Sequence, residues 1–192
     1  VMRWITTLSL AATAAFVPAQ AAAQVTEMLA CSDTGYTDAE QATIDRYIAN
    51  FEIGDDSDTQ PLGDALRRRI TECAGEGASE TTLVMLSQHQ FALLSERGIA
   101  ATRPDVVGVV TRIDTELSQQ DNERFMALFE KLVFGGAGPG AGDNLNAEEA
   151  AWFEKTLIGE PVGATVEQSE LIGGYLAAKL LRDRAVKALE AL

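Results

Sequence analysis

The sequence predicts an all-α protein, a single-domain helical bundle of about seven helices that follows a cleaved signal peptide. Three observations carry this reading. Apolar residues recur at helical spacing along most of the chain. Several segments open with a capping side chain three residues ahead of a carboxylate. The first residues combine one basic charge, a short apolar run and a patch of small residues, which is how a secretory signal is built.

In that first segment Arg3 is the only charge, and the largely apolar run extends from Trp4 to Val17. Pro18 interrupts it, and Ala19-Gln20-Ala21-Ala22-Ala23 offers an A-x-A-like site with cleavage expected before Gln24. The run is shorter than the ~20 residues that cross a bilayer as a helix. No later segment approaches that length, so the expectation is residues 1–23 as signal peptide and residues 24–192 as one helical domain without a transmembrane segment. Cleavage would leave 169 of the 192 residues and remove only Arg3 from the charge count, taking the formal net charge from −14 to −15. Such a length holds a real core. Such a charge repels phosphate backbones and anionic lipid, which disfavours nucleic acid and direct membrane binding and leaves cations, basic peptides and basic partner surfaces open.

Within the mature chain, Thr37-Asp38-Ala39-Glu40, Ser118-Gln119-Gln120-Asp121 and Asn146-Ala147-Glu148-Glu149 read as helix starts. After them Ile44 and Ile48, Phe125 and Phe129, and Phe153 and Leu157 each fall on one helical face. The first helix is expected from Asp38 to about Ile53, closed by Gly54. A second runs from Pro61 through Cys73, and a third from Ser79 to Gly98. Thr102 and Asp105 bracket Pro104 at the start of a fourth, in which Val106, Val110, Ile113 and Leu117 keep helical spacing although Val106–Val110 alone also suits a strand. The fifth ends at Phe134, the sixth spans about Ala147–Ile158, and the last runs from about Ala164 to Glu190. Short connections between antiparallel helices give a bundle.

Cys31 and Cys73 are the only cysteines, and in an oxidising compartment an even count reads as a disulfide. Met28-Leu29-Ala30-Cys31 has some likeness to a lipoprotein site, but polar Gln24–Glu27 separates it from the apolar run and lipidation would strand Cys73. C-x-x-C redox spacing is absent.

No motif points to a catalytic residue or a cofactor. Gly136-x-Gly138-x-x-Ala141 satisfies a loose dinucleotide fingerprint, yet helical periodicity precedes it, Pro139 sits inside it and no βαβ pattern surrounds it. His89, the single histidine, shares a face with Met85, Leu86 and Leu93, so a packed, hydrogen-bonded core residue is expected rather than a zinc ligand. No Ser stands in a G-x-S-x-G context. Asp55, Asp56 and Asp58, with Asp64 nearby, are weak calcium candidates. An EF-hand loop starting at Asp56 would meet Pro61 and Arg67 where it needs Gly and Glu, so a solvated loop facing the Arg67-Arg68-Arg69 run is the plainer expectation. Glu148, Glu149 and Glu154 lie near Trp152, which suits a glycan-stacking or carboxylate site, and equally a capped helix beside a half-buried Trp.

Leu145-Asn146-Ala147-Glu148-Glu149, Phe153, Pro161-x-Gly163 and Gln168-x-Glu170-Leu171 together resemble the C-terminal part of a family of secreted bacterial all-helical proteins whose domain has no assigned function. That family has an aromatic helix, a Ser-Pro-x-Gly turn and a following helix. The likeness covers about residues 145–171, with Glu160 in place of the Ser and Phe153 about one helical turn farther from the proline. It implies a bacterial, exported, all-α protein and supplies no activity. The functional expectation is a non-catalytic interaction or structural role toward an envelope protein, in the periplasm or outside the cell. A carboxylate enzyme or glycan-binding protein is the first alternative and a calcium-binding module the second.

Overall fold

The computed structural model describes residues 17–53, 59–135 and 145–192, with side chains from residue 22 onward other than that of Thr59. Among them are eight helices and no strand: α1 (Val17–Ser32), α2 (Asp38–Ala49), α3 (Thr59–Ala74), α4 (Glu80–Thr102), α5 (Pro104–Glu116), α6 (Gln119–Phe134), α7 (Ala147–Ile158) and α8 (Val166–Glu190). The three expected starts are capped as the sequence predicts. The Thr37 side chain accepts from Glu40 N–H, Ser118 from Asp121 N–H, and Asn146 from Glu148 and Glu149 N–H, each satisfying a backbone donor the helix leaves open. The Val106–Val110 run is helical within α5, with Val106, Val109, Val110 and Ile113 all buried.

Three boundaries depart from expectation. A helix, α1, precedes the first predicted one, and its apolar side is anchored by Val25 at 4 % exposure. α2 ends at Ala49 with Asn50 as its C-cap, so Phe51–Ile53 leave the helix and lie across its neighbours. α4 runs past Gly98 to Thr102, because Gly98 serves there as a packing site and not as a stop.

α4 and α8 form the spine. Around one half, Val106, Ile113, Phe125, Leu157, Val162 and Ile172 belong to a cluster shared by α5–α8, and Ile99 brings in α4. Phe153 stacks on Phe125 at 4.4 Å between centroids, joining α7 to α6. Around the other half, Val25, Ile44, Leu62, Ile70, Leu86 and Leu189 gather α1–α4 and the end of α8. Because α4 and α8 enter both clusters, the whole is one bundle. Full burial of each Leu, Ile or Phe contributes about 1.5–3 kcal/mol relative to exposure.

Cys31 and Cys73 form a disulfide that ties the end of α1 to α3. It excludes lipidation at Cys31 in this state. Beside it the arginine run divides its work. Arg67 pairs with Asp64 at the surface. Arg68 donates to Glu40 and Glu72. Arg69 donates to the carbonyls of Cys31 and Thr34. Two of the three cations thus fasten the α1–α2 connection to α3.

Candidate functional site

α4 is enclosed on three sides. Leu86 and Leu94 face the cluster of α1–α3, and the buried Gln90 donates to Ser32 Oγ of α1 at 2.7 Å. Glu96 accepts from Arg182 of α8 at 2.9 Å. Gly98 meets the Phe51 ring just beyond α2. The remaining face carries Glu80, Val84, Ser87, Gln88, Phe91 and Ser95 at helical spacing.

That face is the floor of a groove of about 800 Å³ between α2 and α8. Tyr47 and Phe51 form one wall, edge to face at 5.5 Å between centroids. Gly174, Ala177, Ala178 and Leu181 of α8 form the other. Ile53, Val84 and Phe91 are 45, 42 and 39 % exposed, and all three line this one groove, so the exposure is a patch and not scatter. Ile53 reaches it because Gly174 has no side chain in its way.

Two of the polar groups of the groove are bonded back to their own helix, while Glu52, Glu80 and Gln88 are exposed. Ser87 Oγ donates to the Leu83 carbonyl at 2.8 Å and Ser95 Oγ to the Phe91 carbonyl at 2.9 Å. Burial raises the Tyr47 phenol above its ordinary pKa. The charged lining residues are Glu52 and Glu80; no Lys or Arg is among them. Glu80 opens α4, and Glu52 follows Phe51 beside Gly98, so along the α4 axis the two acids lie roughly 27 Å apart at 1.5 Å per residue.

Behind the groove, α4 buries a second set of polar groups. His89 and Glu96 are 8 and 7 % exposed, and His89 Nδ1 and Glu96 Oε1 have no hydrogen-bond partner. Burial lowers the His89 pKa and raises that of Glu96, with Arg182 opposing the rise in Glu96. The expected core histidine is therefore packed but not fully hydrogen-bonded. A smaller cavity of about 380 Å³ lies where α1 meets the chain's C-terminal end, between Val25, Met28, Glu76 and Leu192.

The other residues singled out from sequence fall elsewhere. Asp55, Asp56 and Asp58 lie outside the described residues, as does the 136–142 glycine stretch. Among the described residues no group of three or more His, Cys, Asp or Glu could hold a metal ion, and no helix is long and apolar enough to cross a membrane. Glu149 closes the capping box of α7 and pairs with Lys131 at 2.8 Å. The Arg124 guanidinium sits 4.2 Å from the centre of the Trp152 ring, occupying a face that a sugar would need.

What the fold and the groove define, among the described residues, is an all-helical bundle with an open apolar channel along its central helix. No family model, no curated protein and no solved structure matches the chain.

Proposed function

We propose that this is an exported, non-catalytic protein of the cell envelope that holds an apolar part of a partner protein in the α2–α4–α8 groove. The observation that carries the reading is the convergence of Ile53, Val84 and Phe91, three of the large apolar side chains left exposed among the described residues, on one groove. The two acids of the groove stand too far apart for a glycosidase pair, whose carboxyls are ~5–10 Å from each other.

Export rests on independent features. A disulfide persists in oxidising compartments. Val25, the second residue of a chain beginning at Gln24, is buried, so such a chain keeps the buried side chains described in α1.

Photo-crosslinking side chains installed at Val84 and Phe91 in cells test the reading. The expected result is one reproducible envelope protein captured from both groove positions and not from Thr111, exposed on α5. Equal capture from all three, or none from the groove pair, would contradict it.

A further inference from the structure

Resting on that reading of the groove, we infer that its occupant is an apolar helix of a partner protein carrying basic residues at both ends. Three properties of the groove select this chemistry. Between its two acids the lining offers few hydrogen-bonding groups, the Tyr47 phenol and the Gln88 amide, since the Ser87 and Ser95 hydroxyls are spent on their own helix. An extended peptide would leave its backbone donors and acceptors unpaired against such a surface, whereas a helix brings its own satisfied. On α8 the small, partly exposed Ala177 lets a rod of helical diameter approach that wall, while the space over Gly174 is already filled by Ile53.

The charges then set the ends. Glu80 marks one end of the channel and Glu52 the other, roughly 27 Å apart, which is the length of an 18-residue helix. With no cation in the lining and a net charge of −14 on the chain, the groove attracts a partner whose flanks are Lys or Arg. The same field repels an anionic amphiphile such as a fatty acid. It also repels a second copy of this chain.

Synthetic 20-residue Leu/Ala helices test the inference, one with two Lys at each end and one with two Glu at each end. Each is titrated by fluorescence anisotropy into the exported protein and into its Glu52→Gln/Glu80→Gln variant, with thermal unfolding of both proteins as the folding control. The Lys-ended peptide is expected to bind the native protein about tenfold more tightly at low salt, and the margin should close near 1 M salt, where screening acts within about 3 Å. The variant should lose most of this preference, keeping only what the remaining net charge supplies. Equal affinity of the native protein for the two peptides would overturn the charge assignment while leaving the groove in place. Tighter binding of the Glu-ended peptide, or of oleate in a parallel titration, would overturn it as well. If neither peptide binds, the groove reading falls with it.

Discussion

Phe51 fills the space beside Gly98 in which a Cβ would otherwise sit. The contact fixes where the chain leaves α2 and thereby sets one wall of the groove. A Cβ there would meet the root of the Phe51 side chain, not its flexible end. Overpacking of this kind costs about 1–3 kcal/mol, against roughly 1 kcal/mol gained by Ala over Gly in a helix. Gly98→Ala should therefore lower the melting temperature by a few degrees. Gly173→Ala, on α8 with open space around it, should raise stability by about 0.5–1 kcal/mol. Thermal melts of the two variants check both signs.

The disulfide closes a loop spanning 42 residues. In the chain-entropy account that constraint stabilises the fold by about 4 kcal/mol, less any strain. The double Cys31→Ser/Cys73→Ser variant should lose about 2–4 kcal/mol in urea unfolding while keeping its helical content, because Arg68 and Arg69 still bridge α3 to the α1–α2 connection. A variant with no helical signal at all would show that the arginines alone do not hold that corner.

Ser32 and Gln90 are both fully buried, and their hydrogen bond is a polar contact of α1 with α4. Removing the hydroxyl leaves the Gln90 amide unpaired, which costs about 1–3 kcal/mol. Ser32→Ala should be the more damaging single change, and adding Gln90→Leu should recover part of the loss because both partners are then apolar. Denaturant midpoints of the two single variants and the double variant test this.

Acid sensitivity should divide between two groups. The Arg68 guanidinium, with help from the Thr37 backbone N–H, lowers the Glu40 carboxyl from 4.5 to about 2. A carboxyl whose folded pKa is depressed stabilises above its unfolded value and loses that contribution as pH falls through the folded one. Glu40→Gln should thus be less stable than the native protein at pH 7, and the gap should close between about pH 4.5 and 2. Burial, and then the charge of Arg182, depresses the pKa of His89, a base, so its stabilising effect is lost below its usual 6.5 as the unfolded chain takes up a proton first. Urea midpoints followed from pH 7 to pH 2 separate the two windows. A Glu40→Gln gap that stays constant across them would contradict the assignment.

Most of the helices were legible in the sequence because capping and periodicity are local. Thr37, Ser118 and Asn146 announce their helices within four residues, and Phe125, Phe129 and Leu157 turn inward as their spacing requires. α1 was not legible, since Val25, Met28 and Leu29 are few, stand among polar residues soon after the Trp4–Val17 run, and gain their meaning only from α3 packing on them. Gly98 was misread for a related reason. A glycine at the end of an apolar run signals a stop, and only the tertiary fold reveals that Phe51 needs its missing side chain.

The groove was equally hidden. α4 is apolar around most of its circumference, as a helix enclosed by neighbours should be, so Val84 and Phe91 look like core positions. Glu80, Ser87, Gln88 and Ser95 interleave with them on one face, and that mixture was the available sign of a surface left partly open.

The most direct test of the central claim uses a neutral, environment-sensitive dye such as Nile red, which reports the apolar groove independently of its charged ends. The native protein should bind it at one saturable site, and Val84→Lys and Phe91→Lys should each weaken that binding at least tenfold without lowering the melting temperature by more than about 2 °C, as surface substitutions do. Unchanged binding in both variants, or no saturable site in the native protein, would contradict the account.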